Sequence, residues 1–363
     1  MSTHPPSRYG ITRDELAEAL ADQPRYRLDQ VWDGWYGQLR PTSDLTTLPK
    51  ALRSRLDDLL PTALAPVTRS VSDDGDTTKF LWRLHDGATV ETVLMLYPDR
   101  ATVCVSTQAG CAMACGFCAT GQAGFERHLH VGEIVEQVIV AAQLAAVATT
   151  PRRVSNIVFM GMGEPLANYD NTWSAVERLN GDVGISARHL TVSTVGIVPG
   201  IRRLALEALP VNLAVSLHAA NDDLRNELVP INRRYPLAVL AEACRDYLAV
   251  KNRRLSFEWA MIDGVNDRDS DAAELAAYAR ALRAHVNLIP LNPTPGYPTV
   301  GSSPQRVRAF RDRLVDAGVN ATIRANRGTE IDAACGQLST RHGDALSASP
   351  VVLAPTRPVS LTD

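Results

Sequence analysis

The chain has 363 residues, of which 45% are hydrophobic and 21% charged, and its formal net charge at pH 7 is −3. These values are typical of a soluble globular protein with a large core. Because the net charge is negative, the protein as a whole does not attract nucleic acid electrostatically. Binding of RNA would need a local surface of arginines, whose clusters are by default solvated helix faces.

The N-terminus lacks an apolar run, and no stretch of about 18 apolar residues occurs, so we expect neither a signal peptide nor a membrane span. Clustered cysteines in such a chain fit a reducing compartment, and we therefore expect a cytoplasmic protein.

The first hundred residues differ in pattern from the rest. Apolar residues recur at helical spacing over residues 12–21, 28–36 and 48–60, between prolines. This predicts a small helical accessory domain over residues 1–65. Residues 66–100 alternate apolar and polar side chains, which predicts a short antiparallel β-extension.

From residue 101 onward, strand-like and helix-like runs alternate. The predicted strands are residues 101–106, 156–161, 189–193, 211–218, 255–262, 286–291 and 321–325. The predicted helices are residues 131–146, 171–179, 199–206, 237–250, 271–283 and 304–317. Such α/β repeats predict a parallel sheet with helices outside, curved into an incomplete barrel because a closed one needs eight units. We expect the chemistry at the carboxyl ends of its strands.

Three cysteines, Cys111, Cys115 and Cys118, follow the first of these strands. Three thiolates so spaced can hold three irons of a four-iron cluster and leave the fourth iron open for a ligand. Structural zinc would need a more distant fourth ligand, and chance clustering or packing is the other alternative. The spacing favours the iron–sulfur site.

The Cys-x3-Cys-x2-Cys spacing, with Phe117 before the last cysteine, resembles the radical S-adenosylmethionine (SAM) enzymes. The resemblance implies a [4Fe-4S] cluster whose open iron binds the amino and carboxylate groups of SAM, and from which an electron releases a 5′-deoxyadenosyl radical. The implied fold is an incomplete (βα)6-type radical SAM barrel over residues 101–326.

Polar or glycine-rich signals follow several other strands. They are Gly163 and Glu164, Ser193, the run Ser216, Leu217 and His218, and Asn292. Each could be an ordinary turn or cap, but as a set on one face they predict a ligand pocket. The resemblance implies that the Gly163–Glu164 turn binds the SAM amino group and that the others contact its ribose, carboxylate and adenine.

Longer runs narrow the resemblance. Residues 103–111, 159–165, 193–199, 215–218, 288–293 and 327–338 look like those of the bacterial RNA adenine-C2 methyltransferases, with coverage from about residue 91 to 338. The resemblance implies methylation of C2 of an adenine in the peptidyl transferase centre of 23S rRNA, and of the tRNA adenine beside the anticodon. Adenine C2 is electron-poor and cannot attack a SAM methyl group, whereas a carbon radical can add to it.

The same resemblance implies roles for three further residues. Cys335, in a C-terminal catalytic segment over residues 327–340, would carry the methyl group from one SAM, and a second SAM would supply the radical. Cys104 would form a transient disulfide with Cys335 and release the product, and Glu91 would accept the C2 proton. From residue type alone, Cys104 would be a buried small hydrophobe, Glu91 a surface carboxylate and Cys335 a tail residue. Cys244 matches nothing in the family.

The implied partners are 23S rRNA, tRNA and an electron donor such as flavodoxin. The protein is expected to be a monomer. Residues 341–363, rich in Ser, Pro and Thr, are expected to be disordered. Two alternatives stay open from the sequence: a methyltransferase of the same design acting at adenine C8, and a zinc-containing RNA-binding protein without catalysis.

Overall fold

The structure is a computed structural model that describes residues 5–294, 298, 300–334 and 336–338. Its strands are β1 (Ala65–Val71), β2 (Thr77–Arg83), β3 (Thr89–Leu96), β4 (Ala101–Cys104), β5 (Gln108–Gly110), β6 (Phe125–His128), β7 (Val154–Phe159), β8 (Leu190–Thr194), β9 (Asn212–Ser216), β10 (Leu255–Met261), β11 (His285–Pro290) and β12 (Ala321–Ile323).

Its α-helices are α1 (Arg13–Ala19), α2 (Tyr26–Trp32), α3 (Lys50–Leu59), α4 (Ala119–Ala123), α5 (Val131–Ala146), α6 (Tyr169–Gly181), α7 (Val198–Leu206), α8 (Asp222–Leu228), α9 (Leu237–Lys251), α10 (Asp269–Ala281) and α11 (Pro304–Asp316). A π-helical turn covers Asp33–Gly37, and 3₁₀ turns cover Thr42–Asp44, Pro165–Ala167, Ala187–His189, Pro230–Arg233 and Thr329–Ile331.

One ten-stranded sheet organises the fold, in the order β1-β2-β3-β4-β7-β8-β9-β10-β11-β12. Within this sheet, strands β1 to β4 pair antiparallel. The remaining neighbours, from the β4–β7 pair to the β11–β12 pair, are parallel. Helical crossovers join the parallel strands, which form the predicted incomplete α/β barrel. The predicted β-extension therefore continues the barrel sheet through the β3–β4 pair.

The parallel strands are hydrophobic because both of their faces are covered. Every residue of β10 is buried. The ring of its Trp259 packs at a tilt against Phe310 of α11, with 6.0 Å between the ring centroids. Helix α5 packs across β3 and β4, where the Gln137 side chain accepts from the Thr92 hydroxyl (2.8 Å) and the Ser106 amide (2.9 Å). A buried amide so satisfied joins the antiparallel and parallel parts of the sheet.

The N-terminal helices share the core of the barrel. Leu16, Trp35 and Leu56 belong to the same buried cluster as Val138 of α5. The Arg178 guanidinium of α6 donates to two backbone carbonyls near the start of the chain, those of residues 9 (2.9 Å) and 11 (2.6 Å). The three predicted N-terminal helices are present, although α2 ends in the π-helical turn.

The long predicted helices and the seven predicted strands from residue 101 onward are confirmed, and α5 has the predicted bounds. The sequence prediction missed α4, α8 and the separate β5–β6 hairpin, whose short segments carry little periodicity. None of the helices in the described part of the chain combines the length and apolar character of a membrane-spanning segment. The predicted disordered tail and Cys335 lie outside the described residues.

Candidate active site

A cavity of about 150 Å³, here called the cysteine-loop cavity, opens at the carboxyl ends of the parallel strands. Its walls contain nine residues predicted from the sequence, namely Cys111, Cys115, Cys118, Gly163, Glu164, Ser193, Ser216, His218 and Asn292. Leu217, which was predicted with them, is instead fully buried in the hydrophobic core. The convergence of parallel strand ends explains why residues so distant in sequence meet here.

The three cysteines lie on one loop between β5 and α4. The Cys111 amide donates to the Gly124 carbonyl (2.7 Å) and the Cys118 amide to the Cys115 carbonyl (3.1 Å), which folds the loop back on itself. A side chain at Gly121 would lie 2.9 Å from the Cys115 carbonyl oxygen, so the loop needs glycine there. Burial raises the pKa of Cys111 to about 12, and it also raises the pKa of Cys115. Metal binding must therefore release thiol protons.

Three thiols on one loop facing one cavity suit an iron–sulfur cluster, which bonds each thiolate to a different iron. Within the described ranges, no three acidic, histidine or cysteine side chains are grouped to hold one metal ion. Three cysteines on one loop are a donor set that fits a cluster with three protein ligands.

The turn after β7 places Glu164 beside the cysteines. Gly163 has φ +97°, and a side chain there would lie 2.5 Å from Gln108, so only glycine fits. The Glu164 carboxylate accepts from the amides of Leu166 (3.1 Å) and Val195 (2.8 Å). Burial raises the pKa of Glu164 to about 7, while these hydrogen bonds oppose the rise. A carboxylate held in this way can accept hydrogen bonds from a ligand ammonium group.

His218 is a neutral ring at this site. Its Nδ1 accepts from the Ala260 amide (3.0 Å), so the ring proton lies on Nε2. Burial, and then the charge of Arg225, lowers the pKa of His218 to about 3. The ring meets Phe117 edge to face at 4.7 Å. His218 therefore offers an apolar surface and one donor, and it does not act as an acid or base near neutral pH.

Two further polar residues show how the cavity is held. The Ser193 hydroxyl donates to the Phe159 carbonyl (2.6 Å), so its oxygen can accept from a ligand. The Asn292 side-chain oxygen accepts from the Asn326 amide group (2.7 Å), which joins the β11 end to the C-terminal segment. Both residues line the cysteine-loop cavity, where they can contact a ligand.

Glu258 is a cavity residue that the sequence analysis missed. Its Oε1 accepts from the Ser256 hydroxyl (3.0 Å) and the Asn287 amide group (2.8 Å). Its Oε2 is buried and has no hydrogen-bond partner among the described residues. A buried carboxylate oxygen without a donor is costly, so this atom indicates where a ligand donor belongs. Every residue of β10 is buried, so the sequence of this strand has no apolar–polar alternation that would mark Glu258 as a cavity residue.

Arg225 of α8 is a second residue that sequence reasoning missed. Its side chain is fully buried and donates to the carbonyls of Val195 (2.7 Å) and Leu217 (3.1 Å) and to the side-chain oxygen of Asn232 (2.7 Å). Burial lowers the pKa of Arg225 to about 10, so the guanidinium remains charged near neutral pH. The guanidinium fixes the ends of β8 and β9 next to the cysteine loop. Arg225 lies on α8, a short helix that was not predicted from the sequence, and its role therefore could not be predicted either.

A second cavity of about 210 Å³, here called the Cys104 cavity, lies beside the first. It is lined by Val93, Met95, Tyr97, Cys104, Met160, Arg324, Ala325, Asn326, Arg327, Ala333, Ala334 and Leu338. Met160 and Arg324 line both cavities and so form their common wall. Cys104 is buried, as residue type alone indicated, but it also faces a cavity.

The residues next to Cys335 contact both cavities. Ala334 lines the Cys104 cavity, and Gly336 lines the cysteine-loop cavity. The Gly336 carbonyl accepts from the Ala119 amide (2.8 Å), which attaches this segment to the loop of the cysteines. Residues 334 and 336 therefore border different cavities.

Glu91 is buried on β3, with 3% of its surface exposed, and is not the surface carboxylate that its residue type indicated. Because side chains alternate along a strand, Glu91 shares a face with Val93 and Met95, which line the Cys104 cavity. Its Oε1 lies 3.1 Å from Lys79 Nζ. The sequence-predicted proton acceptor thus lies on the side of the sheet that bears this cavity.

Known proteins resemble this chain over most of its length. Residues 105–276 match the family model described as Radical SAM superfamily. A protein of Salinispora arenicola named "Probable dual-specificity RNA methyltransferase RlmN" is 53% identical over 341 residues, 92% of this chain and 90% of that protein. A protein of Chloroflexus aurantiacus with the same name is 52% identical and covers 92% of this chain and 93% of its own length.

A solved structure described as a radical SAM methyltransferase from Sphaerobacter thermophilus has the same fold. It is 51% identical, covers 92% of this chain and 99% of its own, and superposes with a TM-score of 0.89. Identity at this level over nine-tenths of the chain includes the barrel, the β-extension and the cysteine loop. The chain belongs to the RlmN family of dual-specificity RNA methyltransferases, within the radical SAM superfamily.

Proposed function

We propose that this protein is a radical SAM methyltransferase that methylates C2 of an adenine in the peptidyl transferase centre of 23S rRNA and C2 of the adenine 3′ to the anticodon in tRNA. The reaction proceeds through an S-methylcysteine at Cys335 and uses two SAM molecules per turnover. The observation that carries the proposal is the pair of adjoining cavities, with the neighbours of Cys335 facing one cavity each.

The bound [4Fe-4S] cluster and SAM supply the methyl group and the one-electron chemistry that removes a hydrogen from it. Cys111, Cys115 and Cys118 hold the cluster. Gly163 and Glu164 receive the SAM amino group, because Glu164 is an acceptor fixed by two backbone amides.

The remaining polar walls of the cysteine-loop cavity bind the rest of SAM. Ser193 and Ser216 act through their hydroxyls, His218 through its single donor, and Asn292 through its side-chain amide. Leu217 has its side chain in the core, and its backbone amide donates to the Glu258 carbonyl, so it supports the wall that Ser216 and His218 form. Glu258 accepts from a SAM donor through its unpartnered oxygen.

Cys335 carries the methyl group, and the carbon derived from it adds to adenine C2, which links the protein to RNA. Glu91 accepts the C2 proton, and the one electron left over from the radical addition would return to the bound cluster, so the ring recovers its aromaticity. The Cys104 thiolate then attacks the Cys335 sulfur: a disulfide bond forms and the sulfur–carbon bond breaks. The electron pair stays on carbon, which takes up a proton and becomes the methyl group.

The proposed division of labour along the chain follows the order of the elements. Residues 1–65 form an accessory domain that contacts RNA, residues 66–100 form the β-extension with Glu91, and residues 101–326 form the radical SAM core. Residues 327–340 form the catalytic segment and residues 341–363 a tail. The protein acts in the cytoplasm as a monomer, with an electron donor such as flavodoxin.

Mass spectrometry of RNA incubated with enzyme and SAM carrying a deuterated methyl group tests the proposal. The expected product is adenine methylated at C2 with two deuterium atoms, because one is removed before the carbon adds to the ring. A C8 product would favour the alternative regiochemistry, and three retained deuterium atoms would contradict the mechanism. Purified anaerobically, the enzyme should contain about four irons per chain, whereas a non-catalytic zinc protein would contain none.

A further inference from the structure

Lys79 joins two parts of the proposed catalytic machinery that are far apart in sequence. Its Nζ lies 3.1 Å from Glu91 Oε1 and donates to the Asp332 carbonyl at 3.2 Å. Its side chain is 12% exposed and that of Glu91 is 4% exposed. The ammonium is therefore shared by strand β3 and the segment that leads, three residues later, to Cys335.

The sheet register places Lys79 on the side of the Cys104 cavity. Lys79 of β2 lies opposite Val93 of β3, and Val93 lies opposite Cys104 of β4. Directly opposed residues of antiparallel strands share a face, and neighbouring strands are about 4.8 Å apart. Lys79 and Cys104 consequently flank Val93 on one face, with Glu91 one step along the same face.

The chemistry of this arrangement has a specific consequence. A buried carboxylate needs a compensating charge, and removing the ammonium of a buried ion pair destabilises and displaces that carboxylate. An ammonium carries three hydrogens, so one lysine can bind the carboxylate and the carbonyl together. The two contacts fix the distance between the Glu91 carboxylate and the backbone that precedes Cys335.

We propose that Lys79 is a positioning residue for proton transfer from adenine C2, which holds Glu91 in place relative to the segment of Cys335. The inference rests on the proposed function, since it requires the RNA to be linked to Cys335 when Glu91 acts. In that step the C2–H bond breaks, the proton passes to the Glu91 carboxylate and the bond's electron pair stays in the ring, while the unpaired electron of the adduct would return to the bound cluster. A displaced carboxylate accepts the proton slowly, so the RNA stays attached to the protein.

The test compares Lys79→Met with Glu91→Gln in reconstituted full-length enzyme supplied with SAM, reductant and RNA. Both variants should accumulate covalent RNA–protein adduct on a denaturing gel. Misplacement of a catalytic group by about 1 Å can cost about a hundredfold in rate, so Lys79→Met should lower kcat by up to about a hundredfold with KM for RNA unchanged. Lys79→Arg should recover part of the rate, because it keeps a charge beside Glu91.

Lys251→Met is the matched control. Lys251, at the end of α9, also donates to a backbone carbonyl, that of Glu207, but it lies at the opposite end of the barrel strands. This variant should show no adduct. Lys79→Gln separates the two contacts, because it can donate to the Asp332 carbonyl without bringing a charge to Glu91, and it should also accumulate adduct.

The outcomes separate this inference from the proposed function. Adduct in Glu91→Gln but in neither Lys79→Met nor Lys79→Gln overturns the role of Lys79. Absence of adduct in Glu91→Gln contradicts the proposed role of Glu91 itself. A lower melting temperature of Lys79→Met, with normal turnover per folded enzyme and no adduct, would show that Lys79 is only a structural brace; if Lys79→Met does not fold, Lys79→Gln decides alone.

Discussion

The two cavities differ in how their walls are built. The cysteine-loop cavity is formed mainly by the carboxyl ends of parallel strands, each followed by a short polar or glycine-rich segment. The Cys104 cavity combines an antiparallel strand, the first barrel strand and the C-terminal segment, which span residues 93 to 338. Parallel strand ends meet by topology alone, whereas the second set meets only through strand register and the docking of a terminal segment.

This contrast predicts different failures on mutation. Damage to the cysteine-loop cavity should prevent the first chemical event, since cluster and SAM are lost or misplaced. Damage to the Cys104 cavity should instead stop the reaction after RNA has become attached.

Cys335→Ala should abolish methylation of RNA, because the protein then has no sulfur to carry the methyl group. Mass spectrometry of the RNA after a single incubation measures the product. Cys244→Ala is the matched control, since Cys244 is buried in the core and has no proposed role. Methylation by the Cys335→Ala protein would contradict the proposed role of Cys335 as the methyl carrier.

Cys104→Ala should leave RNA covalently attached to the protein, because the attacking thiolate that releases the product is absent. Purified protein should carry nucleic acid that survives denaturation and disappears on nuclease treatment. The iron content should stay at about four per chain, since the cysteine-loop cavity is intact. A Cys104→Ala protein free of RNA and able to turn over would remove this role of the Cys104 cavity.

Glu258→Gln should weaken SAM binding to the reconstituted enzyme by about tenfold, or about 1.4 kcal/mol. The amide places a donor or a weaker acceptor at the position of the unpartnered carboxylate oxygen of this cavity-lining residue. Anaerobic calorimetry measures the affinity, and exposed Glu242→Gln is the control. Unchanged affinity would show that Glu258 does not contact SAM.

The free energy of unfolding of the apoprotein should fall as pH rises from about 4.5 to about 7. Burial raises the pKa of Glu136 from 4.5 to about 7, so the folded state favours its protonated form, and the stability this contributes is lost as pH rises through 7. Glu136 of α5 accepts from the Ala63 amide (2.7 Å), where the accessory helices meet the barrel. Glu136→Gln should flatten the profile by up to about 3 kcal/mol, measured by urea unfolding at pH 5 and pH 8. If Glu136→Gln leaves the pH dependence of the free energy of unfolding unchanged, other groups cause that dependence.

Several features of this protein follow from the sequence alone. The alternation of apolar runs predicted the incomplete barrel and the bounds of α5, because periodicity and helix ends are local properties. The spacing of Cys111, Cys115 and Cys118 predicted one metal-binding loop, and the polar residues after the strands predicted one cavity. Both depend on short segments and on the rule that parallel strand ends lie together.

Other features were decided by the tertiary structure. The unpartnered oxygen of Glu258, the buried guanidinium of Arg225 and the double contact of Lys79 depend on which side chains meet across strands and loops. Residue type alone suggested that Glu91 would be on the surface, but β-sheet register and the C-terminal segment bury it. A sequence specifies spacing along the chain, whereas hydrogen-bond satisfaction and burial are set by neighbours hundreds of residues away, so these properties are determined only once the chain has folded.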